Sequence, residues 1–327
     1  MKKKRGRLLL VIVGVLFTIA LFIWLNNTSL FINTEGNKAK LLAHRGLAQT
    51  FDISQVEWDT NTAEIIYPPE HPYLENTLES MRIAFDMGAD VVEFDIHRTK
   101  DNQLAVFHDY DISYRTDGQG YVSDHTMAEL KQLDIGYGYT ADGGKTHPFR
   151  GKGIGQMPVI DEVFAAFPDH ELLIDAKDGD KDTGVLLWEC LKAMPNERLS
   201  QITVYGADGT IQYLRNQSNS LRLLSMEMMK DALIKYIALG WTGYIPESLH
   251  NMELHLPLNY ARLLWGWPHK FVERMERINT RVVIVGGNGG ASEGIDTANY
   301  RERIPAGFDG YIWTNRIDRF DNGEIAR

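Results

Sequence analysis

Between residues 40 and 314, short apolar runs alternate with helical stretches, and this alternation restricts the fold more than any other feature. The runs at 40–46, 92–96, 103–107, 171–174, 201–205, 221–224, 281–285 and 310–314 read as strands. Stretches 77–86, 161–167, 184–194, 211–215 and 300–304 read as helices. Residues 225–279 read as mostly helical, with NMELHLPLNY as an insertion. Parallel strands need long crossovers, usually helical, so the alternation predicts a parallel sheet. Eight such units predict an α/β protein of the (β/α)8 TIM-barrel type, with an open doubly wound sheet as the alternative.

In a barrel the site lies where the strands end, and these ends carry chemistry. In the stretch ADVVEFDIHRTKDNQLAVFHD (89–109), Val92, Phe94 and Ile96 share one strand face and Glu93 and Asp95 the other. Two like charges ~4 Å apart at an effective dielectric of ~20 repel by ~4 kcal/mol, so the pair calls for a proton, a basic partner or a metal ion. Thr99-Lys100-Asp101-Asn102 supplies turn chemistry, and the return strand 103–107 runs into His108-Asp109. His44 shares the face of Leu42, and Leu173, Asp175 and Lys177 share a face in LLIDAK. His44, Glu93, Asp95, His108, Asp175 and Lys177 are therefore expected at one barrel mouth. The other histidines, His71, His125, His147, His170, His250, His255 and His269, are expected at surfaces, and His97 beside the turn.

The N-terminus is of another kind. Lys2, Lys3, Lys4, Arg5 and Arg7 precede residues 8–25, which carry no charge. Eighteen uncharged residues with Trp24 near the far end suit a membrane span better than a signal core, and no clean small-x-small cleavage site follows. The expected organisation is a cytoplasmic flank 1–7, a single transmembrane helix 8–25, a linker 26–39 and a barrel 40–327 outside the cytoplasm. Without the five flanking cations, 29 Lys and Arg face 44 Asp and Glu, a net charge of −15. Such a surface excludes nucleic acid as the expected partner. Cys190 is the only cysteine, so no intrachain disulfide forms.

Seven segments carry a resemblance. His44-Arg45-Gly46, Glu75-Asn76-Thr77, GADVVEFDIHRTKDNQLAVFHD, RTDGQGYVSDHTMAELKQLD, MPVIDEVF, LLIDAK and GFDGYIWTN occur in that order. In series, across residues 40–316, they resemble the glycerophosphodiester phosphodiesterases. The resemblance implies a (β/α)8 barrel that hydrolyses glycerophosphodiesters to glycerol 3-phosphate and an alcohol with one divalent cation, Ca2+ or Mg2+. It implies that His44 and His108 are the acid/base pair, that Arg45 contacts the phosphate, and that Glu93, Asp95 and Asp175 hold the metal. Glu75 and Lys177 are then expected at the substrate. Asp175 stands where the family usually has glutamate. Residues 47–74 form a longer connection than the family's, and the seventh strand, Val283-Ile284-Val285-Gly286-Gly287, lacks its usual Trp-Thr pair.

The chemistry agrees with those roles. A phosphodiester needs its oxygens neutralised, a nucleophile deprotonated and a leaving alkoxide protonated. The competing use of the carboxylates is an ion-pair network with Arg45 and Lys177. The segment 47–74, with Phe51, Trp58, Tyr67 and Tyr73 among Asp52, Glu57, Asp59 and Glu64, is expected to cover the mouth and select the alcohol. A related reading is a lysophospholipase D or sphingomyelinase-D-like enzyme acting on a lipid phosphodiester. A non-enzymatic reading is a membrane-tethered binding module with a dead site, against which the intact motifs stand.

Overall fold

The computed structural model describes residues 2–57, 60–290 and 293–320. In chain order the strands are β1 (Lys40–Ala43), β2 (Val91–Arg98), β3 (Leu104–Val106), β4 (Glu171–Ala176), β5 (Ile202–Gly206), β6 (Arg222–Leu224), β7 (Glu253–Pro257), β8 (Arg281–Val285) and β9 (Tyr311–Thr314). All but β3 pair in parallel, in the order β6-β5-β4-β2-β1-β9-β8-β7, and a single bridge from Leu223 to Met252 links the two ends. The result is a nearly closed eight-stranded barrel, not an open sheet. Helices α1 (Lys2–Asn27), α2 (Leu78–Asp86), α3 (Met127–Leu130), α4 (Ile160–Ala166), α5 (Lys181–Leu191), α6 (Asn196–Ser200), α7 (Asp208–Arg215), α8 (Met226–Leu239), α9 (Leu258–Ala261), α10 (His269–Glu276) and α11 (Ala298–Arg301) complete the chain.

Two strand assignments change. Residues 103–107 are not a barrel strand: β3 folds back antiparallel on the end of β2, with Ile96 opposite Val106. The missing barrel strand is β7, inside the segment read as an insertion among helices. Glu253 and His255 point into the barrel, where Arg281 Nη1 lies 3.1 Å from Glu253 Oε2 and His255 Nε2 lies 2.7 Å from Oε1. Polar residues facing inward broke the apolar run by which a parallel strand is recognised. His255 is accordingly an interior residue rather than a surface one.

The alternation in β2 sorts as expected. Val92, Phe94 and Ile96 face outward, packed with Met81 and Ala84 of α2 and Val163 of α4. Inside, Leu42, Val91, Leu173, Val283 and Trp313 fill the middle of the barrel. Below them Glu171, Glu253 and Arg281 form a charged floor. A second core lies outside the barrel, where Phe107, Ile112, Leu130, Tyr139 and Phe149 pack with Ala63, Ile66 and Leu74. The aperiodic stretch 107–159 and part of 47–74 therefore fold together.

The N-terminal helix α1 is continuous for 26 residues. Its segment Gly6–Asn27 contains an 18-residue window of mean hydropathy 3.0, none of it buried, and is long and apolar enough to cross a membrane.

Candidate active site

Just past β1 the chain turns sharply, with Arg45 at φ +57° and Gly46 at φ +75°. A Cβ on Gly46 would stand 2.7 Å from the Ser80 carbonyl carbon, so glycine is required both by conformation and by contact with α2. The turn aims the Arg45 amide at Glu93 Oε2, 2.9 Å away. It sends the guanidinium to Glu75 Oε1 at 3.0 Å and Asp95 Oδ2 at 3.3 Å, and Arg45 Nε also donates to His44 Nε2 at 3.1 Å. The His44 ring lies 3.8 Å from Glu93 Oε2, and its Nδ1 lies 2.5 Å from Asn315 Oδ1.

Glu75-Asn76-Thr77 divides three tasks. Glu75 is buried between two guanidiniums, Arg45 and Arg115, which hold its carboxyl below the ordinary value despite burial. Asn76, left-handed at φ +58°, donates from Nδ2 to Asp95 Oδ2 (2.8 Å) and accepts from the Asp95 amide (3.0 Å). Thr77 caps α2 by accepting from the Ser80 amide.

His108 reaches the mouth by the β2–β3 hairpin, since β2 overshoots and β3 returns until the Phe107 amide donates to the Asp95 carbonyl. Buried His97 holds the next carbonyl, its Nε2 lying 3.0 Å from His108 O while its Nδ1 meets Asp178. His108 Nδ1 lies 2.8 Å from Asp109 Oδ1. Asp109 is in turn paired with Arg115, a fully buried residue that also bonds Thr62 and Tyr139. Each imidazole thus has its Nδ1 occupied, His44 by an amide oxygen and His108 by a carboxylate, while His44 Nε2 accepts from Arg45 Nε.

Glu93, Asp95 and Asp175 each present a carboxylate oxygen within 4.8 Å of the others. Burial, with Asp95 and Asp175 nearby, lifts the Glu93 carboxyl well above the ordinary range, and burial likewise raises Asp175. Burial pushes Asp95 up too, but Lys177 and Arg45 outweigh it and keep Asp95 ionised. The ion-pair network and the carboxylate cluster therefore coexist, with Lys177 Nζ 3.3 Å from Asp95 Oδ1 and 3.2 Å from Asp175 Oδ2. Asp95 Oδ1 is buried without a hydrogen bond. An all-oxygen donor set with an orphaned carboxylate oxygen fits a hard divalent cation. Burial and then Arg45 disfavour the charged form of both histidines, most strongly at His44.

A cavity of about 790 Å³ opens beside His44, Arg45 and Glu75. One wall is Ala48–Ile53 and Tyr67–Glu70, the other runs from Glu293 to Tyr300. Trp58 and Asp59 lie outside the described residues.

All the expected site residues thus meet at one mouth, but Glu75 stands back from the carboxylate cluster, tied to arginines. Sequence reasoning missed Arg115, Asn315 and Asp296. Asp296 accepts from the Asn315 amide (2.8 Å) and Nδ2 (2.7 Å), fixing the amide oxygen that meets His44. Arg115 and Asn315 stand in two of the quoted segments, RTDGQGYVSDHTMAELKQLD and GFDGYIWTN, without a task assigned, and Asp296 lies in none of them. Asn76 was visible as the middle of its motif, without a task.

The model of the glycerophosphoryl diester phosphodiesterase family matches residues 44–245. A glycerophosphodiester phosphodiesterase of Caldanaerobacter subterraneus subsp. tengcongensis is 38% identical over 101 residues, covering 31% of this chain and 38% of the relative. One from Bacillus subtilis is 35% identical over 123 residues, covering 36% of this chain and 39% of the relative. The chain thus matches about two fifths of these relatives' lengths. A Mus musculus protein named lysophospholipase D GDPD1 is 29% identical over 202 residues, 60% of each chain. Among solved structures, the glycerophosphoryl diester phosphodiesterase domain of Mycobacterium tuberculosis Rv2277c has the same fold, with a TM-score of 0.57 at 17% identity over 85% of this chain and 96% of that one. With a family match over more than half its length, laid on this barrel and this mouth, the chain belongs to the glycerophosphoryl diester phosphodiesterase family.

Proposed function

We propose that the protein hydrolyses glycerophosphodiesters to glycerol 3-phosphate and an alcohol. The observation that carries the reading is the cluster of Glu93, Asp95 and Asp175 with Asp95 Oδ1 unbonded, flanked by imidazoles with fixed Nδ1 partners. Those three carboxylates would hold a divalent cation, Ca2+ or Mg2+, which when bound neutralises charge on the phosphoryl oxygens. Arg45 and Lys177 add fixed positive charge against the same oxygens. One imidazole takes the proton of the attacking hydroxyl, and the other delivers one to the departing alkoxide. Asn315 and Asp109 hold each ring through Nδ1 in the tautomer whose Nε2 lone pair can take a proton, at His44 once Arg45 turns from Nε2 to the phosphate.

The test is a product assay over a panel of glycerophosphodiesters and lysolipids, with Ca2+ and Mg2+ supplied separately. His44→Ala and His108→Ala are expected to lower turnover by ~10²–10⁴ while circular dichroism and melting stay unchanged. Near-normal turnover in both variants sinks the two-histidine mechanism. Glu93→Gln is expected to weaken divalent binding by calorimetry, and a chelator to silence the enzyme reversibly. Full activity in excess chelator, with no metal by elemental analysis, removes the cation from the reading.

A second reading, phosphodiester cleavage in lysolipids, is favoured by the mammalian relative's name and by the size of the cavity beside His44. The same panel separates it. We also propose that α1 is a retained span, with its basic flank in the cytoplasm and the barrel outside.

A further inference from the structure

The joint between α1 and the barrel carries information about the direction in which the active site faces. The hydrogen bonds of residues 26–40 to the barrel gather on one side among the described residues. Asn26 and Asn27 donate to the carbonyls of Thr242 and Trp241, ahead of β7. Ser29 Oγ accepts from the Lys270 amide, and Asn26 O and Asn27 Oδ1 accept from Arg274, ahead of β8. Asn37 bonds Asp309, and the Lys40 amide donates to Gly310 O, ahead of β9. Segments that precede strands form the underside of the barrel, opposite the mouth where His44, Glu93 and His108 stand.

The seat is built, not incidental. Arg274 is 4% exposed. Among the described residues it has no carboxylate partner, and its guanidinium is satisfied by Asn26 O (2.7 Å), Asn27 Oδ1 (3.0 Å) and Tyr236 Oη (2.8 Å). A buried cation at the carbonyl end of a 26-residue helix meets the negative end of its dipole, so Arg274 and α1 compensate each other. A second observation concerns the rings around the joint. Trp24 and Phe31 are 50% and 70% exposed with rings 6.4 Å apart, Tyr244 is 53% exposed, and Trp241 is half-buried beside them. Exposed Leu30, Ile237 and Leu239 border these rings in the chain. A collar of aromatic and aliphatic side chains where an apolar helix meets a folded domain is the pattern of residues at headgroup depth.

We propose that the underside of the barrel is a lipid-facing surface on which α1 is rigidly seated, so that the mouth points away from the bilayer. The 14 residues of α8 run from the mouth side to the underside, which sets the mouth about 21 Å above the collar. A diester whose acyl chain remains in the same bilayer cannot bring its phosphate to Glu93 and His108. Substrate therefore reaches the mouth from the aqueous phase and not from the bilayer that holds α1. This deepens the proposed reaction and rests on the reading of α1 as a retained span.

The experiment uses the full chain in unilamellar phosphatidylcholine vesicles, in a Cys190→Ser background. A fluorophore is placed at Tyr244→Cys on the underside or at Gln119→Cys in the exposed segment between His108 and β4, with lipid-borne nitroxide as quencher. The label at Tyr244→Cys should be quenched several-fold more than that at Gln119→Cys. In the same vesicles, kcat/KM for a dissolved glycerophosphodiester should equal that in detergent, while a long-chain lysolipid of the same head group in the bilayer should not be turned over. Stronger quenching at Gln119→Cys, or equal turnover of the bilayer lysolipid, overturns the orientation while leaving the anchor and the diesterase reading intact. Release of the barrel by carbonate wash overturns the span and the orientation together. Absence of turnover on every diester, with quenching as expected, removes the reaction and its aqueous supply but keeps the mounting.

Discussion

Asp109 and Asn315 are the residues by which the two otherwise similar imidazoles differ. A carboxylate beside Nδ1 favours the imidazolium and an amide oxygen does so less, so His108 and His44 hold protons with different strength. Asp109→Asn removes a charge that raises His108, and the His108 pKa therefore falls further. Whichever limb of the pH–kcat/KM profile His108 governs should move to lower pH, and kcat should drop by about tenfold or more. An unmoved profile removes His108 from the proton transfers. Arg115 keeps Glu75 as a partner in this variant, so folding should survive. The residues proposed to touch substrate were legible because their chemistry repeats in compact motifs at strand ends. Arg115, Asn315 and Asp296 were not, because a positioning residue is defined by what packs beside it. Asp296 sits in a glycine-rich stretch whose sequence names no partner.

At the scale of elements, the β2–β3 hairpin and the 47–74 segment reward comparison. The hairpin was read as two strands, which is correct, but β3 was counted into the wall because pairing direction is invisible in an apolar run. The barrel strand β7 was lost for the converse reason, since its inward residues, Glu253 and His255, are polar and compensated by each other and by Arg281 on β8. The expected cover over the mouth proves to be partly structural. Ala63 and Ile66 belong to the second core and Thr62 bonds Arg115, so replacing the whole segment by a flexible linker would strip that core. The selective role, if the cavity receives the alcohol, rests on Phe51 and Tyr67. Phe51→Ala and Tyr67→Ala should shift relative kcat/KM among alcohols by about 10-fold or more and leave metal dependence unchanged. Unchanged ratios across the panel would make the segment scaffolding alone.

For the molecule as a whole, stability should be unevenly spread around the barrel. The β2–β4 pair is in register over six residues, whereas β6 and β7 share one bridge. Amide hydrogen exchange should accordingly be faster in β6 and β7 than in β2 and β4, and uniform protection would contradict the seam. The floor tests the interior. Arg281→Ala leaves Glu253, 0% exposed, without its guanidinium and should cost about 3 kcal/mol by urea denaturation. The double change Arg281→Met with Glu253→Leu should cost much less. The seam also divides the chemistry. Every carboxylate of the cluster and both histidines precede it, and the family match ends at residue 245, while Asn315 and Asp296 follow it. A chain severed after Tyr244 would thus yield a piece holding the reactive groups and a piece holding the clamp for His44. Co-expressed as 1–244 and 245–327, the two should behave as complementing fragments: each silent alone, active when they reassociate.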